Sequence, residues 1–379
     1  MLKAVSSALA IDRADWDRLA NPKGSEFNPL VSHDFFRCLE ESGCAVAATG
    51  WAPRHMVKEQ DGEVTGIVPC YRKRHSYGEY VFDHGWANAY ERAGGRYYPK
   101  LQVSVPFSPV TGHRLFAATE ERRRDLASGL IALCNEEKAS SVHITFMPEA
   151  DWQALGGKLW LQRTDIQFHW NNPGYESFDG FLASLSSQKR KNIRKERASV
   201  ADAGITLHAL TGRDIEERHW DAFFDFYMDT SARKWGQPYL NRAFFSLIGE
   251  AMSEHILLVI AERGGRFIAG ALNFIGSHAL YGRNWGALEH HNNLHFEVCY
   301  YQAIDFAISR KLPRVEAGAQ GAHKLARGYL PQKTYSLHYL AHPGLSRAVA
   351  DYLASERLGV DEEAQALAAH SPFRQEQDF

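Results

Sequence analysis

The chain has 379 residues, of which 45% are hydrophobic and 23% are charged, and its formal net charge is −2. This length is too great for one ordinary hydrophobic core and is sufficient for two globular domains. The near-zero charge excludes an overall electrostatic attraction to nucleic acid or anionic lipid, so any such attraction must be local.

Cysteine content and hydropathy point to the same class of protein. The five cysteines form no Cys-x-x-Cys pair, which indicates reduced thiols in a cytoplasmic protein. No run approaches the ~18 apolar residues of a membrane helix, so no membrane span is predicted. The first ten residues resemble a signal peptide, but their apolar part is short and Asp12 follows closely. An edge strand over residues 3–11 is the better interpretation.

The first half of the chain predicts a mixture of helices and short strands. Asp12 and Ser32 are typical N-caps, and Gly43 is a typical helix end. Two aromatic loops, residues 76–83 and 97–112, are expected to wall a cleft. The other predicted elements share hydrophobic periodicity; they are helices over 12–19, 32–43, 120–138 and 151–155 and strands over 51–57, 66–71, 142–146 and 167–170.

From about residue 171 the order of predicted strands and helices repeats. The central part of this second half is three meandering strands, a crossover helix and a returning strand. This order is typical of an acyltransferase-type mixed sheet. The predicted helices cover residues 178–185, 215–231, 242–253, 296–311 and 346–358, and the strands cover 205–210, 256–261, 267–275, 279–285 and 314–317. The sequence therefore predicts an α/β fold with mixed sheets. We expect an N-terminal domain over 1–170, a C-terminal domain over 171–345, and a C-terminal helix with an acidic tail over 346–379.

A basic segment is the sharpest local feature of the chain. Six of the nine residues from Lys189 to Arg197 are lysine or arginine, and a helix places Arg190, Arg194 and Arg197 on one face. Guanidinium groups match phosphate oxygens, so phosphate binding is one interpretation. A solvated helix face is the other interpretation, and the sequence leaves both open.

A glycine-rich segment follows the last strand of the central sheet. Residues 316–329 carry three glycines, which allow backbone amides to approach a ligand. His323, Lys324 and Arg327 supply polar groups that can hold a carbonyl oxygen or a phosphate. A surface turn with solvated charges is the alternative.

Histidines and carboxylates cluster over residues 289–297, but their spacing matches no known metal-site pattern, so no metal is predicted. Glu289 or Glu297 is a candidate base for deprotonating an amine, with a polar helix start as an equal alternative for Glu297.

The loop over 231–239, which contains Trp235, either lines a substrate cleft or forms a structural corner.

Four motifs together resemble a bacterial family of FemAB-like proteins, described as peptidoglycan biosynthesis or recognition proteins of the GNAT superfamily. The motifs are residues 78–83, 281–286, 294–302 and 321–328. The resemblance implies tandem GNAT-like domains of the acyl-CoA N-acyltransferase type. FemABX relatives move an aminoacyl group from aminoacyl-tRNA onto an amine of a cell-wall precursor. Lys324 resembles the lysine that those relatives place by the reacting carbonyl, and the basic helix resembles their segment near phosphates.

The segment before the crossover helix departs from classical GNAT enzymes. Those enzymes hold the pyrophosphate of acetyl-CoA on a Gln/Arg-x-x-Gly-x-Gly/Ala loop, and residues 286–295 have no such glycine pair. The donor, aminoacyl-tRNA or acyl-CoA, is therefore left open, and no cofactor is certain.

Three functions remain as hypotheses from the sequence. The first is an acyl- or aminoacyl-transferase acting on a small-molecule amine or a cell-wall precursor. In it, Glu297 or Glu289 takes the amine proton, Lys324 stabilises the oxyanion, and a set of polar and aromatic residues binds substrate: Arg190, Arg194, Arg283, Trp285, His323, Arg327 and Trp235. The second is a GNAT acetyltransferase that uses acetyl-CoA. The third is a non-catalytic binder of peptidoglycan precursor or RNA.

Overall fold

The computed structural model describes residues 1–157, 159–234, 238–319 and 321–374. Its chain divides into two compact units. Unit 1 comprises Met1–Ser25, Leu30–Asp165 and Lys333–Glu363, and unit 2 comprises Glu26–Pro29, Ile166–Gln332 and Ala364–Phe379. The contiguous domains expected over 1–170 and 171–345 thus differ from these units, because the chain returns to unit 1 at Lys333.

Strands occur along most of the chain. They are β1 (Leu2–Val5), β2 (Trp51–Pro53), β3 (His55–Gln60), β4 (Glu63–Val68), β5 (Cys70–Lys73), β6 (Lys100–Val103), β7 (Ser141–Met147), β8 (Leu161–Asn171), β9 (Ile205–Thr211), β10 (Ile256–Arg263), β11 (Arg266–Ile275), β12 (Ala279–Ala287), β13 (Arg314–Ala319) and β14 (Leu330–Leu340).

Helices alternate with these strands. They are α1 (Arg13–Ala20), α2 (His33–Glu41), α3 (His84–Arg92), α4 (Glu120–Glu136), α5 (Glu149–Leu155), α6 (Phe178–Ser184), α7 (Ser187–Asp202), α8 (Glu217–Lys234), α9 (Arg242–Met252), α10 (Leu294–Phe296), α11 (Gln302–Ser309) and α12 (Pro343–Ala369). A π-helical segment, Glu297–Tyr301, joins α10 to α11, and a 3-10 segment covers Ala322–Arg327. Among the helices of the described residues, none combines the length and hydropathy that a membrane crossing requires.

Two sequence expectations about the ends of the chain are wrong. The edge strand expected over residues 3–11 ends at Val5, because the Ser7 hydroxyl accepts a hydrogen bond from the Leu9 amide and starts a 3-10 turn. The last helix does not end at residue 358 but continues to Ala369. An ion pair of 2.6 Å between Asp361 and Lys333 of β14 ties this extension to unit 1.

Unit 1 contains a sheet of strands in the order β2-β5-β6-β7-β14 and a small sheet in the order β1-β3-β4. Strands β6 and β7 run parallel, and α4 connects them. The apolar face of these strands packs against α4 through Leu101, Val142, Ile144, Leu126 and Leu130. Every second residue points to the other face, so the same strands present a row of polar side chains there.

That polar row is buried and forms an ion cluster. Lys73 and Lys100 are neighbours across β5 and β6, and both side chains are fully buried. The Lys100 ammonium donates to Glu79 at 2.6 Å and to Asp83, while the Lys73 ammonium lies 3.6 Å from Glu79. Two lysines of the sheet thus hold two carboxylates of the aromatic loop over residues 76–83.

Unit 2 contains strands in the order β8-β13-β12-β11-β10-β9. Strands β10 to β12 form an antiparallel meander with β9 antiparallel beside β10. The crossover helix follows, and β13 returns parallel to β12. The helix buries Val298, Ala303, Ile304 and Ala307 against the sheet. The predicted meander, crossover helix and returning strand are confirmed, as is the α/β class with mixed sheets.

Candidate active site

The parallel strands β12 and β13 pair only over a short stretch. Their register joins Ala279 to Arg314 and continues to Tyr281 and Glu316. Both strands extend further, to Ala287 and Ala319, so the backbone groups beyond this stretch need other partners. Gly318 has a φ of 75°, a left-handed conformation that favours glycine, and it turns β13 at this point.

Lys324 supplies a hydrogen-bond donor to two of these backbone groups. Its Nζ donates to the carbonyl oxygen of Ala317 at 2.8 Å and to that of Gly318 at 3.1 Å. The side chain is buried, with 4% of its surface exposed. Burial lowers the pKa of Lys324 to about 8, against an opposing effect of Cys299 and with a further lowering by the Arg283 guanidinium. The lysine therefore changes charge just above neutral pH.

Arg283 of β12 lies in the same neighbourhood. Its Nη1 donates to the Gly282 carbonyl at 2.7 Å, and its guanidinium lies 5.5 Å from the centre of the Tyr281 ring. The guanidinium also acts on the pKa of Lys324. The structure thus brings two predicted site residues, Lys324 and Arg283, together.

A buried acid and imidazole face each other across β13 and β8. Glu316 and His169 are cross-strand neighbours, with 4.0 Å between Oε2 and Nε2. Burial lowers the pKa of His169; Glu316 opposes this effect, and the cations of Arg314, Arg283 and Lys324 reinforce it. Sequence reasoning missed this pair. The available signal was the place of Glu316 at the start of the glycine-rich segment.

Aromatic rings line the segment next to Lys324. The Tyr300 hydroxyl and His323 Nε2 are 2.9 Å apart. The ring of His295 lies 5.1 Å from that of Trp285, 5.3 Å from that of Tyr300 and 6.1 Å from that of His323. Two further predicted residues, Trp285 and His323, thus belong to one ring cluster.

Arg327 is engaged within the protein. Its Nη2 donates to Glu196 at 2.8 Å and its Nη1 donates to the His323 carbonyl at 2.8 Å. The guanidinium stacks 3.4 Å above the Phe296 ring. The Tyr301 hydroxyl also donates to Glu196. These contacts fix the segment that carries Lys324 to helix α7, so a substrate-binding role for Arg327 would need the Glu196 contact to break.

The three arginines of the predicted basic face of α7 differ in their contacts. Arg197 points inward, where its Nε donates to Glu297 at 3.1 Å and its Nη2 donates to Asp305 at 2.8 Å. Arg194 is exposed and pairs with Asp179 at 3.0 Å. Arg190 forms no ion pair within the described residues and is partly exposed.

Both carboxylates that were predicted as bases are engaged in ion pairs with other residues. Glu297 is buried and neutralises Arg197, so proton acceptance there would break this ion pair. Glu289 lies beyond the end of β12 and pairs with His291 at 2.9 Å and Arg266 at 3.3 Å. At about 3.3 Å per strand residue, this place is distant from Gly282, to whose carbonyl Arg283 donates. Trp235 lies outside the described residues.

Comparison with known proteins places the chain in context. Residues 7–375 match the model of the FemAB-like family, described as peptidoglycan biosynthesis/recognition. Among solved structures, the chain is similar to FemX, with a TM-score of 0.55, 12% identity, and coverage of 90% of this chain and 98% of that one. It is also similar to L-PGS from Bacillus licheniformis, with a TM-score of 0.52, 9% identity, and coverage of 88% and 99%. No curated protein sequence matches. The likenesses at low identity establish the fold, and the predicted FemAB-like resemblance is confirmed.

Proposed function

Because this chain belongs to the FemAB-like family of peptidoglycan biosynthesis and recognition proteins, we propose that Lys324 serves acyl or aminoacyl transfer to an amine. The observation that carries this proposal is the buried ammonium of Lys324 at the point where the pairing of β12 and β13 ends. The chain is an acyl- or aminoacyl-transferase related to the cell wall, and its acceptor is a cell-wall precursor or another small amine.

Lys324 stabilises the negative charge that develops on the donor carbonyl oxygen. The acceptor amine attacks the carbonyl carbon directly, and the intermediate expels the donor alcohol or thiol, so no covalent intermediate on the enzyme is needed. An ammonium that is already buried and oriented by two backbone carbonyls stabilises this charge more strongly than one in water. Arg283 adds a second positive charge nearby, and the ring cluster of Trp285 and His323 lines the acyl group.

The donor that fits the exposed cations is aminoacyl-tRNA. On α7, Lys191 and Lys195 are exposed and, like Arg190, form no ion pair within the described residues. Unpaired cations along one helix bind the sugar–phosphate backbone through its charge. Arg194 joins them by exchanging Asp179 for a phosphate. Aminoacyl-tRNA and cell-wall precursors occur in the cytoplasm, which is the location we propose.

A transfer assay tests the proposed function. The purified chain is incubated with a pool of charged tRNA and with amine-bearing cell-wall precursors, and products are identified by mass spectrometry. An amide product that depends on charged tRNA supports the proposal. A product formed only from acetyl-CoA would show that acetyl-CoA is the donor in place of aminoacyl-tRNA. The absence of a product with either donor would reject the proposed function.

The contribution of α7 predicts a change in salt dependence. In the Arg190→Ala/Lys191→Ala double variant, we expect weaker tRNA binding and a smaller slope of log K against log salt, by about 0.7–0.9 for each lost phosphate contact. Fluorescence titration at several salt concentrations measures the slope. Arg347→Ala removes an exposed arginine of α12 and is the matched control. Equal slopes in wild type and the double variant would contradict this role for the helix.

The lowered pKa of Lys324 predicts a falling limb in the pH profile. Its ammonium is present below a pKa of about 8 and is lost above it. The turnover number should therefore decrease about tenfold per pH unit above this point, because the oxyanion loses its cation. The Lys324→Arg variant keeps its charge, so any residual activity should lack this limb. A wild-type profile that stays level up to pH 10 would exclude the ammonium as the stabilising group.

A further inference from the structure

One buried oxygen of unit 2 is left without a hydrogen bond. Glu316 is 1% exposed, and its Oε2 accepts no hydrogen bond from any described residue. Burying a carboxylate oxygen without a donor is unfavourable, and native structures satisfy nearly all such atoms. Because this unpaired oxygen lies near Lys324, His169 and Arg283, a functional role can explain it.

The groups around Glu316 come from every strand and segment that packs against it. On its own strand, Arg314 Nε lies 3.1 Å from Oε1. On β8, His169 Nε2 lies 4.0 Å from Oε2 and 3.5 Å from the Gln167 side-chain oxygen. Other groups that act on this pair electrostatically are Tyr281 and Arg283 of β12, Lys324 of the 3-10 segment, and His278 before β12.

This arrangement separates the two oxygens of Glu316. Oε1 pairs with the guanidinium of Arg314, while Oε2 faces the imidazole of His169. In contrast, Glu297 is held by the Arg197 guanidinium and by the Gln302 side chain. Glu316 is paired with Arg314 through Oε1 alone, so within the described residues around Lys324 its Oε2 is a buried carboxylate oxygen that has no donor of its own.

We propose that Glu316 Oε2, assisted by His169, receives the proton that the acceptor amine loses during transfer. This inference rests on the proposed function. The amine nitrogen forms a bond to the donor carbonyl carbon, and its N–H bond breaks as the proton passes to Oε2. The electron pair of that N–H bond remains on nitrogen in the amide. The donor ester C–O bond then breaks, and the departing oxygen takes the same proton, so the carboxylate is restored without a co-reactant.

His169 has a positioning role in this step. Its Nε2 lies 4.0 Å from Oε2, beyond hydrogen-bond distance, so the ring acts by occupying the place beside that oxygen. Burial first, and then the cations of Arg314, Arg283 and Lys324, lower the pKa of His169 against the effect of Glu316, so the imidazole itself does not retain the proton.

The test compares Glu316→Gln with wild type in the transfer assay. Glutamine keeps the shape and the neighbours but cannot accept the proton, so we expect kcat to fall by about 10²–10⁴-fold with little change in KM. A base must be ionised to accept a proton, so wild-type turnover should rise with pH at the acidic end of the profile, and this rising limb should be absent in Glu316→Gln. Glu316→Asp retains a carboxylate and should recover part of the activity. Glu250→Gln, which changes an exposed glutamate of α9, is the control and should behave as wild type.

Each outcome decides between this inference and the proposed function. Wild-type turnover together with a Glu316→Gln variant that retains more than a tenth of kcat would overturn the proton-accepting role and leave the proposed function standing. Absence of turnover in wild type would reject both. If Glu316→Gln fails to fold, His169→Gln decides: the inference requires a lower kcat and a shifted rising limb, and an unchanged pH profile would overturn it.

Discussion

Replacing Lys324 by alanine is expected to lower kcat/KM by about 10²–10³-fold, the range seen when one preorganised donor to an oxyanion is removed. The reason is geometric: the ammonium is buried and held by the carbonyl oxygens of Ala317 and Gly318, so water cannot replace it in the same position. Steady-state kinetics of amide formation with charged tRNA measures the effect. The fold should survive, because the surrounding core consists of other residues.

The loss of activity must be separated from a loss of stability. Alanine leaves the two carbonyls without the lysine donor, and a buried acceptor without a partner costs about 1–3 kcal/mol. Lys324→Met fills the same volume without a charge and should lose activity as fully as Lys324→Ala. Circular dichroism and thermal unfolding report the folded fraction of both variants. Turnover in Lys324→Met within tenfold of wild type would show that this cation does not stabilise the transition state.

Local sequence patterns predicted the scaffold of this site well. Strand punctuation by glycine and helical spacing from residue 296 predicted the crossover helix, and the structure places it between β12 and β13. The three glycines of residues 316–329 were likewise placed at the end of the returning strand. These features depend on residues close in the chain, so spacing alone reveals them.

The same local patterns could not predict contacts between elements that are distant in the sequence. Helical spacing placed Arg197 with Arg190 on a basic face, but it contains no information on what faces that helix. Glu297 and Asp305 lie 100 and 108 residues later and neutralise Arg197. Likewise, Glu196 is the first acid of the basic segment, and nothing in that spacing indicates that it accepts a hydrogen bond from Arg327.

The proton-accepting pair was missed for a related reason. His169 and Glu316 lie on β8 and β13, which are neighbours in space and separated by most of unit 2 in sequence. Each residue alone is an ordinary polar position in a strand. Their opposition becomes visible only with the strand register, which depends on the packing of the whole unit.

The prediction of a loop over residues 97–112 was wrong in part, because Lys100–Val103 forms β6. The alternating residues Lys100-Leu101-Gln102-Val103 are typical of a strand with one apolar and one solvated face. In the structure both faces are buried, because the loop over residues 76–83 covers the polar one. The aromatic content of this loop pointed to a packing role, but the inward position of Glu79 and Asp83 was not predicted.

The ion cluster beneath that loop makes Lys100→Met the substitution with the largest expected effect on stability. Removing Lys100 leaves the buried Glu79 with Lys73 at 3.6 Å and the buried Asp83 with the Tyr97 hydroxyl at 2.7 Å and His143 at 3.6 Å. Breaking a buried ion pair costs about 3–5 kcal/mol. Urea unfolding followed by tryptophan fluorescence measures the free energy of unfolding. Lys3→Met is the matched control, because Lys3 pairs with Glu59 at 2.6 Å on the surface and should contribute about 0–1 kcal/mol.

The pH dependence of unfolding gives an independent check on the same cluster. Lys100 and His143 hold the pKa of Asp83 well below its usual value despite its burial. A lowered carboxyl pKa stabilises the folded state above the unfolded pKa of about 3.9, and this contribution is lost as pH falls further. Wild type should therefore lose stability on acidification below this point, and Lys100→Met should lose less. Adding Asp83→Asn to Lys100→Met removes one uncompensated charge and should restore part of the stability. If Lys100→Met were no less stable than Lys3→Met, the cluster would not hold the loop in place.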